Sequence, residues 1–409
     1  MQKPSMKIPA WSANEGARRA RELFAGAFPE LDGPDGVWAS PGRINLIGEH
    51  VDYNGGICLP IALPHRTYVA LRRREDTRLR LVSDESGAAR WEGELSSVHP
   101  EAEIPAWVAY AAGVAWALQR KGHALGGFDA AVVSCVPLGA GLSSSAALEC
   151  AMGLALDEVY GLGLATSPAV RAELVAACVS AENDVVGAPT GGMDQAASLL
   201  TTKDHALQLD CLTGATTQVP FDLAAQGLTI LVIDTQAKHS LVDGQYGQRR
   251  AVCERVAALE GVETLRQLPD PQGTLSRLND PEAVRRVRHV VTEIERTQEF
   301  VELLTEGEYG ELGALMNASH ASLRDDYEVS CAELDTAVEA ARAAGAWGAR
   351  MTGGGFGGSA IALIEQGNLE ATMAAVDRAF VDNGWIAPRF LEATASEAGR
   401  RINEEEEAL

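Results

Sequence analysis

The chain has 409 residues, nearly half of them apolar, and a formal net charge of −23; it is too long for one ordinary core and too acidic to attract nucleic acid or an anionic membrane. Its lysines are Lys3, Lys7, Lys121, Lys203 and Lys238, none of which ends a G-x-x-x-x-G-K-[ST] sequence, so the Walker phosphate loop is excluded; no apolar run long enough to cross a bilayer is present either. Seven well-separated cysteines without a C-x-x-C pair indicate neither a disulfide framework nor a zinc site and read most simply as reduced, mostly buried thiols.

Met1-Gln2-Lys3-Pro4 lacks the hydrophobic stretch that export requires, and a cytoplasmic location is expected. Ala17, Leu23, Phe24 and Ala27 recur at helical spacing and predict a helix over 14–28. Gly33-Pro34-Asp35-Gly36 then turns the chain into a strand at 37–40. The next stretch, Pro41-Gly42-Arg43-Ile44-Asn45-Leu46-Ile47-Gly48-Glu49-His50-Val51-Asp52-Tyr53-Asn54-Gly55-Gly56, crowds hydrogen-bonding side chains between glycines. Such an inventory on a narrow loop fits a polyhydroxylated ligand, and equally fits a solvated loop whose charges pair among themselves.

Strands are predicted at 59–62, 67–71 and 79–83, and a helix at 107–118 carries Trp107 and Trp116, which either stack on a base or belong to the core. A β-prone run at 128–136 delivers the chain into Pro137-Leu138-Gly139-Ala140-Gly141-Leu142-Ser143-Ser144-Ser145, followed by an Ala- and Leu-rich helix over 146–160. Strand, glycine loop and helix together make a seat for phosphate: the first helical N–H groups have no intrahelical partner and sit at the positive end of the dipole. A serine hydroxyl there can also ligate magnesium. The plainer reading is a loop with an ordinary N-cap.

A helix at 171–186 holds Glu182 and leads into Gly191-Gly192-Met193-Asp194-Gln195, where Asp194 is the candidate base or else a turn aspartate capping the next helix. A strand at 207–209 precedes the expected division into domains 1–210 and 211–409. Beyond it come a strand at 228–233, a stretch at 238–248 with His239, Ser240 and Tyr246, and a helix at 248–259. Tyr246 could hydrogen-bond a sugar or be structural. Helices follow at 283–304, 312–323 and 332–344. The glycine run 353–358 lies between two short strands and implies backbone packed against ligand or another loop. A helix at 369–383 and a strand at 388–391 finish the fold, and 404–407 reads as an acidic tail.

Three of these segments resemble the motifs of the GHMP small-molecule kinases: PLGAGLSSSAALE is similar to their phosphate loop and MTGGGFGGSAIAL to their C-terminal glycine motif. GRINLIGEHVDYNGG resembles the galactokinase signature, with Ser40 and Val51 replacing the alanine and threonine more usual beside it. The resemblance implies an α+β two-domain architecture, an N-terminal domain like the second domain of ribosomal protein S5 and a ferredoxin-like C-terminal domain, with the site in the cleft. It implies Arg43 and Asp194 as the catalytic pair, and Glu49, His50, Asp52, Gly191 and Tyr246 around the sugar. Gly139, Ala140, Gly141, Leu142, Ser143, Ser144 and Ser145 would line the phosphates of ATP, with Ser145 and Glu182 near Mg2+. The reaction implied is ATP-dependent phosphorylation of the anomeric hydroxyl of galactose, the entry step of galactose catabolism. The net charge speaks against a nucleic-acid or membrane partner, and a monomer is expected although the sequence does not fix the oligomeric state. The rivals are an N-acetylgalactosamine or other sugar 1-kinase and a non-catalytic galactose and ATP sensor.

Overall fold

The computed structural model describes residues 6–188, 190–237 and 244–403; Lys238, His239, Ser240 and the acidic stretch 404–407 lie outside the described residues. Its architecture is α+β, built on three sheets. The six-stranded sheet has the order Arg400–Arg401, Gly36–Asn45, Pro60–Arg73, Phe128–Ser134, Arg78–Ser83 and Trp91–Glu94, antiparallel except where Arg78–Ser83 runs parallel to Phe128–Ser134. The five-stranded sheet runs Met6–Lys7, Arg389–Ala393, Leu228–Asp234, Ser359–Glu365 and Gly348–Thr352. Each end of the chain thus adds a short strand to the sheet built by the other half. A small sheet of Ile57–Cys58, His205–Asp210 and Thr216–Pro220 completes the set.

Two sequence expectations are corrected here. Apart from Leu59, the residues 59–62 and 67–71 belong to one strand, Pro60–Arg73, which stays buried through the intervening Leu63, His65 and Arg66. The strand expected to stop at Ser40 continues to Asn45, with a bulge between Pro41 and Arg43, so the first half of the sugar motif is strand and not loop. Bulges re-aim a side chain and are over-represented beside active sites. Here the re-aimed side chain is Arg43.

The helix Ser144–Tyr160 follows Phe128–Ser134 and is buried along most of its length, as its composition of small and aliphatic residues permits. The helix Pro168–Ser180 passes into a π-helical turn, Ala181–Val186, that ends at Gly187 in the left-handed region. Trp107 and Trp116 pack against the core beneath the six-stranded sheet. A separate apolar cluster joins Ile44, Leu46 and Leu59 from one half to Ile230, Ile361 and Leu391 from the other, so the ground under the motifs is continuous across both. Apolar burial of this kind, at ~25 cal/mol per Å², holds the three glycine-rich segments together. Among the described residues no helix is long and apolar enough to cross a membrane, and all seven cysteines are free thiols.

Candidate active site

Arg43 leaves its strand to meet Asp194 in the first turn of the helix Met193–Leu200. Its Nε donates to Oδ1 at 2.8 Å and its Nη2 to Oδ2 at 2.9 Å, while Nη1 donates to the carbonyl of Gly141 at 2.7 Å. Bidentate pairing of this kind fixes both planes. Burial works against the charged guanidinium, yet Asp194 and Glu49 outweigh it and raise its pKa. Asp194 does not cap its helix. Gly192, in the left-handed region at φ 92°, occupies the cap and turns the carboxylate toward Arg43 and toward Ser143, whose hydroxyl donates to Oδ2.

Around this pair lies a pocket of about 160 Å³ lined by Arg43, Glu49, His50, Asp52, Thr190, Gly192, Met193, Asp194, Tyr246, Gly353 and Gly354. At ~30 Å³ per water that volume is on the scale of one small polar ring. All six side chains singled out from the sequence for catalysis or sugar contact therefore come together. Gly191 backs the wall: a Cβ there would lie 2.3 Å from Oδ2 of Asp52. Burial pushes the Asp52 carboxyl up to about 6, and the like charges of Asp194 and Glu49 add to the effect.

Glu49 is held from behind by the glycine run. Its Oε1 accepts from the amide of Gly353 at 2.7 Å and from the Thr352 hydroxyl at 3.1 Å, with Arg350 Nη2 at 3.6 Å. Burial raises its pKa against the pull of Arg350 and Arg43. Glu293, which accepts from the Gly48 amide and the Ser319 hydroxyl, is also fully buried; burial opposes its charge, but Arg296 and Arg350 hold it down to about 2. The alternative posed by the glycine run is thus answered on one side: it packs against other loops, with Ser359 donating to the Ala140 carbonyl at 2.6 Å and Gly353, at φ 81°, close over Gly141.

His50 sits at φ 60° with Nε2 3.1 Å from the Gly354 carbonyl and Nδ1 2.9 Å from the Tyr53 hydroxyl. Burial, with His289 adding to it, holds its pKa down to about 3, so the ring is neutral. A carbonyl only accepts, which puts the proton on Nε2 and makes Tyr53 the donor to Nδ1; Tyr327 then donates to Tyr53 at 2.8 Å. Both ring nitrogens are spent on the protein. Tyr53 stood in the sugar motif without a role of its own, and Tyr327, Thr352, Arg350 and Glu293 were not singled out in the sequence. Of those four only Arg350 and Thr352 carried a signal, as polar residues leading into the glycine run.

The glycine-serine loop is anchored through carbonyls: Ala140 to Ser359, Gly141 and Leu142 to Arg43. Gly139 and Gly141 adopt positive φ, and Ser143, at φ 58°, gives the helix no side-chain cap. Ser144 and Ser145 open the helix. Glu182 lies in the π-helical turn, where Gln195 donates to it at 2.7 Å and Thr190 at 2.9 Å; burial and Asp194 raise its pKa, while Gln195, Thr190 and Ser145 pull it down. Gln195 also donates to the buried Glu149.

Comparison with known proteins gives three family matches in chain order: the galactokinase galactose-binding signature over 22–73, the GHMP kinases N terminal domain over 109–202, and the GHMP kinases C terminal region over 300–382. The galactokinase of Streptomyces coelicolor is 51% identical over 387 residues, covering 94% of this chain and 97% of that protein. The chain belongs to the galactokinase family. The galactokinase of Streptomyces lividans is 49% identical over 355 residues, 86% of this chain and 87% of its own length. The structure of the Lactococcus lactis galactokinase complexed with galactose superposes with a TM-score of 0.86 at 34% identity, covering 93% of this chain and 98% of that one. The fold is accordingly the α+β two-domain GHMP kinase fold. Within the family segments, Arg43, Glu49, His50 and Asp52 fall in the first match and the serine loop, Glu182 and Asp194 in the second, whereas Tyr246 lies outside all three.

Proposed function

We propose how this chain carries out the reaction of its family, ATP-dependent phosphorylation of galactose. Galactose occupies the small pocket with its anomeric hydroxyl at Asp194, and Glu49, Asp52 and Tyr246 hold the remaining hydroxyls. The phosphates of ATP lie on residues 139–145. The hydroxyl oxygen forms a bond to the γ-phosphorus as the bond to the β–γ bridging oxygen breaks; ADP leaves and the hydroxyl proton passes to Asp194. Arg43 stabilises charge on the transferring group and fixes the carboxylate in the correct plane.

The observation that carries this reading is the bidentate contact of Arg43 with Asp194, made at the pocket wall while the same guanidinium grips the Gly141 carbonyl of the loop. One side chain thereby sets the distance between base and phosphate seat.

Ser145 and Glu182 supply hard oxygen donors suited to Mg2+, and the raised pKa of buried Glu182 is the cost that a bound cation would offset. Among the described residues no group of three or more His, Cys, Asp or Glu side chains could hold a metal, which fits a cation that takes its other ligands from phosphates and water. Magnesium, when bound, neutralises the phosphate oxygens. A cytoplasmic location accords with seven thiols free of disulfides. A division near residue 210 would leave the sugar motif and serine loop in one domain and Tyr246 with the glycine run in the other.

The test is a coupled measurement of ADP release with galactose, glucose, galactosamine, N-acetylgalactosamine and mevalonate in turn. Turnover on galactose well above the rest is expected. Turnover on N-acetylgalactosamine with none on galactose would reassign the substrate, and binding of both ligands without ADP release would make the chain a sensor.

A further inference from the structure

Ser143 holds a position that an ordinary N-cap serine does not. It precedes the helix Ser144–Tyr160 but lies in the left-handed region at φ 58°, where a residue with a Cβ is disfavoured, and its hydroxyl caps no helical N–H. The hydroxyl points across to Asp194 and donates to Oδ2. That oxygen already accepts from Arg43 Nη2, and Oδ1 accepts from Arg43 Nε. A carboxylate oxygen has two lone-pair sites. In this arrangement Oδ2 has none left for a sugar hydroxyl.

A serine hydroxyl has a single hydrogen. It cannot donate to Asp194 and to a phosphate oxygen on the same loop at once, so the two roles exclude each other at any instant. The guanidinium is locked by its third contact, to Gly141, and is not free to withdraw. Of the donors on Oδ2, the hydroxyl is the one that a single bond rotation releases. The strained backbone and the uncapped helix both follow from aiming this side chain at the base.

We propose that Ser143 is a positioning residue coupling the two substrates: without nucleotide its hydroxyl covers Oδ2 of Asp194, and with phosphates on the loop it turns to them and uncovers that oxygen for the sugar. The proposal rests on the reading of Asp194 as base and of 139–145 as the phosphate seat. ATP then raises the affinity for galactose, and by linkage galactose raises the affinity for ATP by the same factor.

The experiment measures the galactose dissociation constant by calorimetry, with and without a saturating non-hydrolysable ATP analogue and Mg2+, for the wild type, S143A and S143G. The wild type should bind galactose about three- to tenfold tighter with the analogue, the worth of one hydrogen bond. Both variants should bind it about that much tighter already without nucleotide, and the analogue should add nothing further. Glycine relieves the positive φ and alanine does not, so a purely conformational role would separate S143A from S143G. A wild type without coupling, variants that keep it, or variants whose nucleotide-free affinity is unchanged or weaker would each overturn the proposal. The underlying reading fails separately: D194N with near wild-type turnover removes Asp194 as the base whatever Ser143 does.

Discussion

Oε1 of Glu49 accepts the amide hydrogen of Gly353 at 2.7 Å, a contact between residues 304 positions apart that ties the sugar motif to the glycine run. Arg350, which is fully buried, approaches both Glu49 and Glu293, at 3.6 and 4.0 Å. Two ionised carboxylates can share such a site only with a cation between them.

Arg350→Met should therefore destabilise the fold. Glu293 retains Arg296 and Ser319, but Glu49 is left with Arg43, already committed to Asp194. Breaking a buried pair from one side costs ~3–5 kcal/mol. Urea unfolding should show a loss of that order, with a raised KM for galactose. A loss under ~1 kcal/mol would mean that Arg350 is not what neutralises Glu49.

Asp194→Asn should lower kcat by about 10²–10⁴, the range for a positioned general base. The amide oxygen still accepts a hydrogen bond from a hydroxyl, so galactose binding by calorimetry should change by less than about tenfold. A variant keeping more than a tenth of wild-type kcat would show that Asp194 orients the hydroxyl without taking its proton.

Most of the regular structure was legible because some helices carry apolar residues at helical spacing, as at Ala13–Ala27 and Pro281–Glu306, others are rich in Ala and Leu, as at Ser144–Tyr160, and the central strands are nearly continuous apolar runs, as at Leu228–Asp234. The short pairings were not: Met6–Lys7, Ile57–Cys58 and Arg400–Arg401 are two-residue strands whose partners, not their own composition, make them strands. The site divides in the same way. Arg43, Glu49, Asp52 and Asp194 stand in motifs unusual enough to be seen in one dimension. Tyr327, in the π-helical turn Leu323–Tyr327, and Glu293, in the helix Pro281–Glu306, reach the residues of the sugar motif only through tertiary packing, as in the Tyr53–Tyr327 hydrogen bond.

Gly191→Ala should raise the KM for galactose and leave that for ATP alone. The added Cβ would meet Oδ2 of Asp52 at 2.3 Å, so the carboxylate must move within the sugar pocket while the serine loop is untouched. Initial-rate kinetics with each substrate varied will show it; equal effects on both KM values would point instead to general disruption.

Asp52 makes the reaction and the fold respond to pH in opposite senses. Its carboxyl is pushed from 3.8 to about 6, first by burial and then by Asp194 and Glu49. The folded state thus holds this proton more tightly than the unfolded chain does. Stability from this group is full below pH 3.8 and is lost as pH rises through about 6, a change on the order of 3 kcal/mol. Sugar binding needs the ionised form as acceptor, so the KM for galactose should rise as pH falls below 6, by about tenfold at pH 5. Asp52→Asn should flatten both profiles, giving a protein more stable at pH 7 with a high KM at every pH. If its KM instead tracks that of the wild type from pH 7 to pH 5, the titrating group in galactose binding is another one.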